Sequence, residues 1–282
     1  MAEILDGKAL SQKIRLDIKN EINVIYKSTD KRCSLAVVMI GDNPASAIYV
    51  RNKIKACEEV GFTSVSVHLP SDTTQEEAEQ KIKELNSNPE IYGILVQLPL
   101  PRHLDEKKIL KLISVEKDVD GFSEENVGKL TLGEQALYAC TPNGVIQILK
   151  AYGIEMSGKN AVVIGRSNIV GKPMVLLLLK ENCTVTVCHS RTQNLSDFTC
   201  KADILVCAIG VAKFVKADMV KKGAVVIDVG MDRDENGKLC GDVDFDSVKE
   251  VASYITPVPG GVGPMTITML MYNTLQAFKN SL

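Results

Sequence analysis

The chain has 282 residues, with 33 Lys and Arg against 35 Asp and Glu and a formal net charge of −2. That length is enough to bury one large or two modest cores, and the balanced charge gives no footing for nucleic acid or an acidic membrane surface. Met1-Ala-Glu-Ile-Leu-Asp6 lacks the basic start and apolar stretch of a secretion signal, and no apolar run approaches the ~20 residues of a membrane span.

Eight cysteines form no C-x-x-C pair, and the three histidines are widely spaced. The expectation is a reduced cytoplasmic protein with free thiols packed as small hydrophobes, no disulfide framework and no metal site.

Strand and helix signals alternate from Ser34 onward. Ser34–Ile40 reads as a buried strand, and Asp42-Asn43-Pro44 as a helix start with proline in the first turn, the helix running to Gly61. Thr63–Leu69 gives a second strand, Thr73 or Thr74 caps a helix to about Ser87, and Tyr92–Leu98 is a third strand stopped by Pro99 and Pro101. A second alternation follows Thr141-Pro-Asn-Gly144. There Thr141 is expected to cap a helix over 142–152, with strands at 160–165, 184–188, 203–208 and 224–229. Alternation of this kind specifies parallel sheets flanked by helices. The expected fold is α/β in two domains. An N-terminal α/β domain spans residues 1–139 and a Rossmann-like domain 140–263, with an apolar C-terminal helix, 264–282, returning to the first.

The most informative stretch is Ala161-Val-Val-Ile-Gly165-Arg-Ser-Asn-Ile-Val-Gly171-Lys-Pro173. A buried strand stops at a glycine, and a loop leads into a helix whose free N–H groups favour a phosphate. About 20 residues beyond a dinucleotide loop, an NAD site usually places an acid for the ribose 2′-hydroxyl. Here the second strand ends in His189-Ser190-Arg191-Thr192, with no acid, and Arg166 sits in the glycine loop. Guanidinium groups pair with phosphate oxygens in a fork, which suits the 2′-phosphate of NADP. Two solvated arginines beside a turn are the plain alternative.

Tyr49 and Lys53 are spaced i, i+4 on the helix after Pro44, so both heads reach one point. A lysine beside an apolar stripe is also commonly a snorkelling surface residue. Gln97 interrupts an otherwise apolar strand at its carboxyl end, the edge where open α/β sheets bind ligands. A polar strand end that simply meets solvent would look the same. Asp118 and Asp120 flank a turn that either carboxylate could cap. Ile255–Met265 packs three prolines and three glycines ahead of a helix, a stiff loop with exposed amides.

Together these segments resemble the bifunctional methylenetetrahydrofolate dehydrogenase/methenyltetrahydrofolate cyclohydrolase family. The motifs are Tyr49-x-x-x-Lys53, Gly93-Ile-Leu-Val-Gln97-Leu-Pro-Leu-Pro101, Lys117-Asp-Val-Asp120-Gly-Phe122, Gly165-Arg-Ser-x-x-Val-Gly171-x-Pro173 and Thr256-Pro-Val-Pro-Gly-Gly-Val-Gly-Pro-Met-Thr266. They run in family order over essentially the whole chain. Ala139 departs from the family's usual proline, which bears on the interdomain connection more than on the chemistry.

The resemblance implies oxidation of 5,10-methylenetetrahydrofolate with NADP⁺, then hydrolysis of the methenyl product to 10-formyltetrahydrofolate, at one folate site between the domains. It implies Lys53 as the acid/base group of the hydrolytic step, Tyr49 orienting the folate, Gln97 bonded to Lys53 and Asp120 accepting pterin N–H groups. Leu98 and the loop Pro259, Gly260, Gly261, Val262, Gly263, Pro264 and Thr266 would line the folate site. Gly165, Arg166 and Ser167 would hold the cofactor phosphates, with Ser190 and Arg191 near the 2′-phosphate and Met231 also at the cofactor. A homodimer is the family's usual state. A dehydrogenase of another substrate on a similar frame, such as a shikimate-type enzyme, would share the nucleotide half but not Gln97, Asp120 and the Pro/Gly loop. A non-catalytic NADP sensor would keep the Gly165 loop without needing Lys53 beside Tyr49.

Overall fold

The computed structural model describes residues 1–282, the side chain of Ala45 apart. In chain order the elements begin with β1 (Glu3–Ile4), α1 (Gly7–Thr29), β2 (Ser34–Ile40), α2 (Pro44–Val60), β3 (Thr63–Leu69), α3 (Gln75–Ser87) and β4 (Gly93–Val96). Then come α4 (Glu106–Lys111), α5 (Glu124–Thr131), α6 (Cys140–Ala151), β5 (Asn160–Ile164), α7 (Gly171–Lys180), β6 (Thr184–Cys188) and α8 (Ser196–Thr199). The chain closes with β7 (Ile204–Cys207), β8 (Val225–Asp228), β9 (Asp232–Arg233), β10 (Leu239–Cys240), α9 (Phe245–Val248), β11 (Tyr254–Ile255) and α10 (Val262–Asn280).

These elements form two compact units. One comprises Lys13–Lys129, Glu134–Cys140 and Ile267–Leu282, and the other Met1–Gln12, Leu130–Gly133 and Thr141–Thr266. The first is built on a parallel sheet ordered β3-β2-β4, in which Val38 pairs with Val67 on one side and Val96 on the other. All seven residues of β2 are buried, as expected of a central parallel strand covered on both faces. Ala36, Val38, Ile40, Ile94 and Val96 pack with Ala78, Ile82 and Leu85 of α3 into one core. Thr74, rather than Thr73, caps α3 in a capping box: its hydroxyl accepts from the Glu77 N–H, and the Glu77 carboxylate accepts from the Thr74 N–H.

The second unit holds a parallel sheet ordered β1-β11-β8-β7-β5-β6 and a small antiparallel hairpin of β9 and β10. Val162, Ile164, Leu205, Cys207, Val226 and Ile255 lie at the centre of its core. The two-domain α/β fold, its parallel sheets and its C-terminal helix follow the expectation from sequence.

Several elements differ in extent. The first twelve residues fall in the six-stranded unit and not with the rest of 1–139, because Glu3 and Ile4 pair with Tyr254 and Ile255. The helix expected over 142–152 starts at Cys140, and Thr141 does not cap it: its hydroxyl lies 3.0 Å from that of Thr266. The third strand shortens to Gly93–Val96, although the Gln97 N–H still reaches the Val38 carbonyl at 2.8 Å. Among the described residues no helix is long and apolar enough to cross a membrane. All eight cysteines are free, and only Cys200 is exposed.

Candidate active site

In the three-stranded unit, α2 carries Tyr49 and Lys53, and the carboxyl end of β4 carries Gln97. The Lys53 ammonium donates to Gln97 Oε1 at 2.9 Å. Gln97 Nε2 donates to the Leu98 carbonyl at 2.7 Å, which settles which way round the amide sits. Both ends of the amide are thus engaged, unlike a polar strand end that merely faces water. Tyr49 is 39% exposed, one helical turn before Lys53.

The two carboxylates of the Asp-x-Asp-Gly turn divide their work. Asp118, 4% exposed, accepts from the N–H groups of Gly121 (3.1 Å), Phe122 (3.2 Å) and Ser123 (2.7 Å) and from the Asn126 side chain (3.0 Å). It is therefore the turn-holding group. Asp120 does not share that work, and burial pushes its carboxyl up to about 6, opposed by the nearby Lys53 charge and reinforced by Asp118. The turn demands glycine after it, since Gly121 has φ +73° and a Cβ there would lie 2.5 Å from the Tyr138 carbonyl carbon. Asn273 of α10 braces the same segment, donating to the carbonyls of Val119 and Tyr138 at 2.8 Å each. Sequence reasoning allowed either carboxylate to hold the turn without choosing Asp118, and it missed Asn273. Nothing local signalled Asn273.

In the six-stranded unit, the carboxyl ends of β5 and β6 lie side by side, Ile164 paired with Cys188 and the Gly165 N–H on the Cys188 carbonyl at 2.8 Å. Gly165 (φ +123°) leaves no space for a side chain, because a Cβ would stand 2.2 Å from the Ala208 carbonyl oxygen. A Cβ at Gly171 would stand 2.4 Å from the Gly165 carbonyl oxygen. The loop is therefore drawn tight against the start of α7. The Ser167 hydroxyl accepts from the N–H groups of Val170 and Gly171, both at 3.2 Å, and keeps its own proton to donate.

Arg166, Ser190 and Arg191 are all exposed on this sheet edge. The turn after β6 is folded by Thr192, whose hydroxyl accepts from the His189 N–H at 2.9 Å. Two guanidinium groups and no acid at this edge fit a phosphorylated dinucleotide, and the glycine cradle fits its backbone approach.

The Pro/Gly loop lies in the same unit. Gly260 takes φ +110°, and a Cβ at Gly261 would meet the Pro257 carbonyl oxygen at 2.6 Å. Met231, 48% exposed, reaches the start of α10, where a Cβ at Gly263 would be 3.4 Å from its terminal methyl. The expected residues thus form two sets. Tyr49, Lys53, Gln97, Leu98 and Asp120 belong to the three-stranded unit. The six-stranded unit carries Gly165, Arg166, Ser167, Ser190, Arg191, Met231 and Pro259 to Thr266.

The model of the tetrahydrofolate dehydrogenase/cyclohydrolase catalytic domain matches residues 5–120, and that of its NAD(P)-binding domain matches residues 139–282. The chain belongs to the tetrahydrofolate dehydrogenase/cyclohydrolase family. A bifunctional FolD protein of Listeria innocua is 57% identical over 99% of this chain and 98% of its own. The crystal structure of the bifunctional FolD enzyme of Campylobacter jejuni superposes with a TM-score of 0.97 at 51% identity, covering both chains completely. That of the Trypanosoma brucei dehydrogenase–cyclohydrolase, complexed with NADP cofactor and an inhibitor, gives 0.95 at 40% identity over 99% of this chain and 98% of its own.

Proposed function

We propose that this member of the family oxidises 5,10-methylenetetrahydrofolate with NADP⁺ and hydrolyses the resulting methenyl cation to 10-formyltetrahydrofolate. The observation that carries the hydrolytic half is the Lys53–Gln97 hydrogen bond at 2.9 Å, in a unit where Asp120 is also partly buried. In the hydrolysis, water adds to the methenyl carbon, the bond from that carbon to ring N5 breaks, N5 takes one proton and one proton is released. Lys53 is the group assigned to move the proton. Gln97 holds its ammonium through one oxygen acceptor, so the lysine is oriented without being locked in an ion pair. Asp120, ionised above about 6, accepts the pterin's amino and ring N–H donors, and Tyr49 orients the ring.

Bound NADP⁺ supplies the hydride acceptor of the first step. Gly165, Arg166 and Ser167 would hold its phosphates, Ser190 and Arg191 its 2′-phosphate, and Met231 its exposed flank. Leu98 and the loop from Pro259 to Thr266 are assigned to the folate. By analogy with the family, the protein is a cytoplasmic homodimer, which light scattering of the purified chain tests.

The deciding experiment supplies 5,10-methylenetetrahydrofolate with NADP⁺ or NAD⁺ and follows reduced nicotinamide and methenyl product separately. Reduction with NADP⁺ and little methenyl accumulation is expected. Accumulating methenyl product would remove the hydrolytic role of Lys53, and no reduction with either cofactor would sink the proposal.

A further inference from the structure

A group of carboxylates at the end of β8 takes no part in the chemistry above. Asp228 closes β8 and Asp242 follows β10; they are 3% and 0% exposed. Asp228 accepts from the N–H groups of Gly230 (3.0 Å), Asp242 (2.9 Å) and Val243 (2.9 Å). Asp242 accepts in turn from Ile209 at 2.7 Å and Val211 at 2.8 Å, on the loop that leaves β7. The same loop begins with Ala208, whose carbonyl presses on Gly165. Glycines make the arrangement possible: a Cβ at Gly230 would sit 2.6 Å from the Asp242 carboxyl carbon, and one at Gly241 2.1 Å from Asp228 Oδ2.

Asp232, the first residue of the β9–β10 hairpin, completes the group. Its Oδ2 is buried, and no protein N–H or O–H is directed at it. The neighbour whose charge and hydrogen-bonding bear on it is the Asp242 carboxylate. Two ionised carboxylates there would repel, and a buried charge without a partner is costly. A single proton between them makes an O–H···O⁻ bond, one of the stronger classes. Asp242 already accepts two N–H bonds, so the proton belongs on Asp232.

The surroundings offer no substitute cation. Lys213 is bound to Asp234 at 3.2 Å and also feels Asp244, and exposed Arg233 donates to the Gly237 carbonyl at 2.7 Å. Cys207 and Cys240 are thiols that burial pushes up, so they stay neutral. Asp228, raised to about 7 by burial, adds only negative charge when ionised. Among the described residues no group of three or more His, Cys, Asp or Glu side chains is arranged to hold a metal ion. Burial first, then the Asp242 charge, raises the Asp232 carboxyl above its ordinary value.

We propose that Asp232 is a positioning residue for the cofactor: its carboxylic proton, donated to Asp242, ties the hairpin next to Met231 to the 208–211 loop. Resting on the assignment of this sheet edge to NADP, the inference predicts that losing one proton loosens cofactor binding. The direction follows from the chemistry. The acid form makes the bond, so the tie holds at lower pH and is lost as pH rises through the Asp232 titration.

Asp232→Asn tests this directly, because an amide of the same shape donates without titrating. Infrared difference spectra of wild type against Asp232→Asn should contain the carbonyl band of a protonated carboxylic acid, and that band should persist to higher pH than an ordinary aspartate's would. As pH rises and that band disappears, the wild-type KM for NADP⁺ should climb several-fold with kcat little changed, while Asp232→Asn keeps a level KM near the low-pH wild-type value. A missing band, or the wild-type KM profile persisting in Asp232→Asn while NADP⁺ reduction is intact, overturns the inference. Failure of the wild-type protein to bind or reduce NADP⁺ at all refutes the functional assignment instead, and the cofactor role of Asp232 with it.

Discussion

Replacing Asp120 by Asn should make the protein more stable and less active, with a pH signature that isolates the cause. Burial moves this carboxyl from 3.8 to about 6, so ionising it in the folded chain costs on the order of 3 kcal/mol once pH exceeds both values. The sign follows from proton counting. Below 3.8 both folded and unfolded chains hold the proton, and the ionisation cost is absent. Between 3.8 and about 6 only the unfolded chain releases it, so wild-type stability falls relative to a variant that cannot ionise. Above that window the difference is constant.

An amide is still a buried polar group, which trims the expected gain to roughly 1–3 kcal/mol. Urea unfolding of both proteins across this range should show the Asn variant's advantage growing through the window and then levelling. Its turnover of the folate substrate should fall at every pH, because an amide replaces the charged acceptor. A stability difference independent of pH would refute the account of Asp120 as a partly buried, reluctantly ionised group.

Lys53→Met should abolish hydrolysis of the methenyl cation while hydride transfer falls less; equal loss of both in a folded protein would end the separate role of Lys53. Arg166→Ala or Arg191→Ala should raise KM for NADP⁺ by about tenfold, the value of ~1.4 kcal/mol, and far less for NAD⁺. Gly165→Ala should lower the melting temperature and remove the thermal shift produced by NADP⁺, because its Cβ would stand 2.2 Å from the Ala208 carbonyl oxygen at φ +123°. Asp118→Ala would orphan three backbone N–H groups, at about 1–3 kcal/mol each if buried, and should raise KM for the folate by misplacing Asp120.

What could be read beforehand divides along physical lines. β2 and β5 were legible because a central parallel strand is an apolar run bounded by breakers, and the glycine loop was legible because close packing leaves only glycine as a choice. α1 was not. Ile18 and Ile22 are buried, but Leu16 and Val24 on the same helix are 57% and 67% exposed, which blurs the apolar stripe. β1 and β11 are two residues each and exist only as partners.

In the site, Gln97 stood out as an amide in an apolar run, but its partner Lys53 is 44 residues away and no local pattern joins them. The paired carboxylates 118 and 120 looked alike in sequence. Only the backbone N–H groups around them separate the one that holds the turn from the one that does not. The Asp232–Asp242 pair left no trace, because its meaning depends on which atom lacks a donor.

The interleaving of the two units has a consequence for how the chain is made. β1 is made about 250 residues before Tyr254 and Ile255, with which it pairs, and the segment carrying Asp118 and Asp120 is braced by Asn273. Neither unit has all its parts until residues 254–273 have been added, so neither can be completed as an early, self-sufficient intermediate. Until then the nascent chain must carry an unpartnered strand and an unbraced turn, and cutting the protein between its two halves would leave both pieces unfinished.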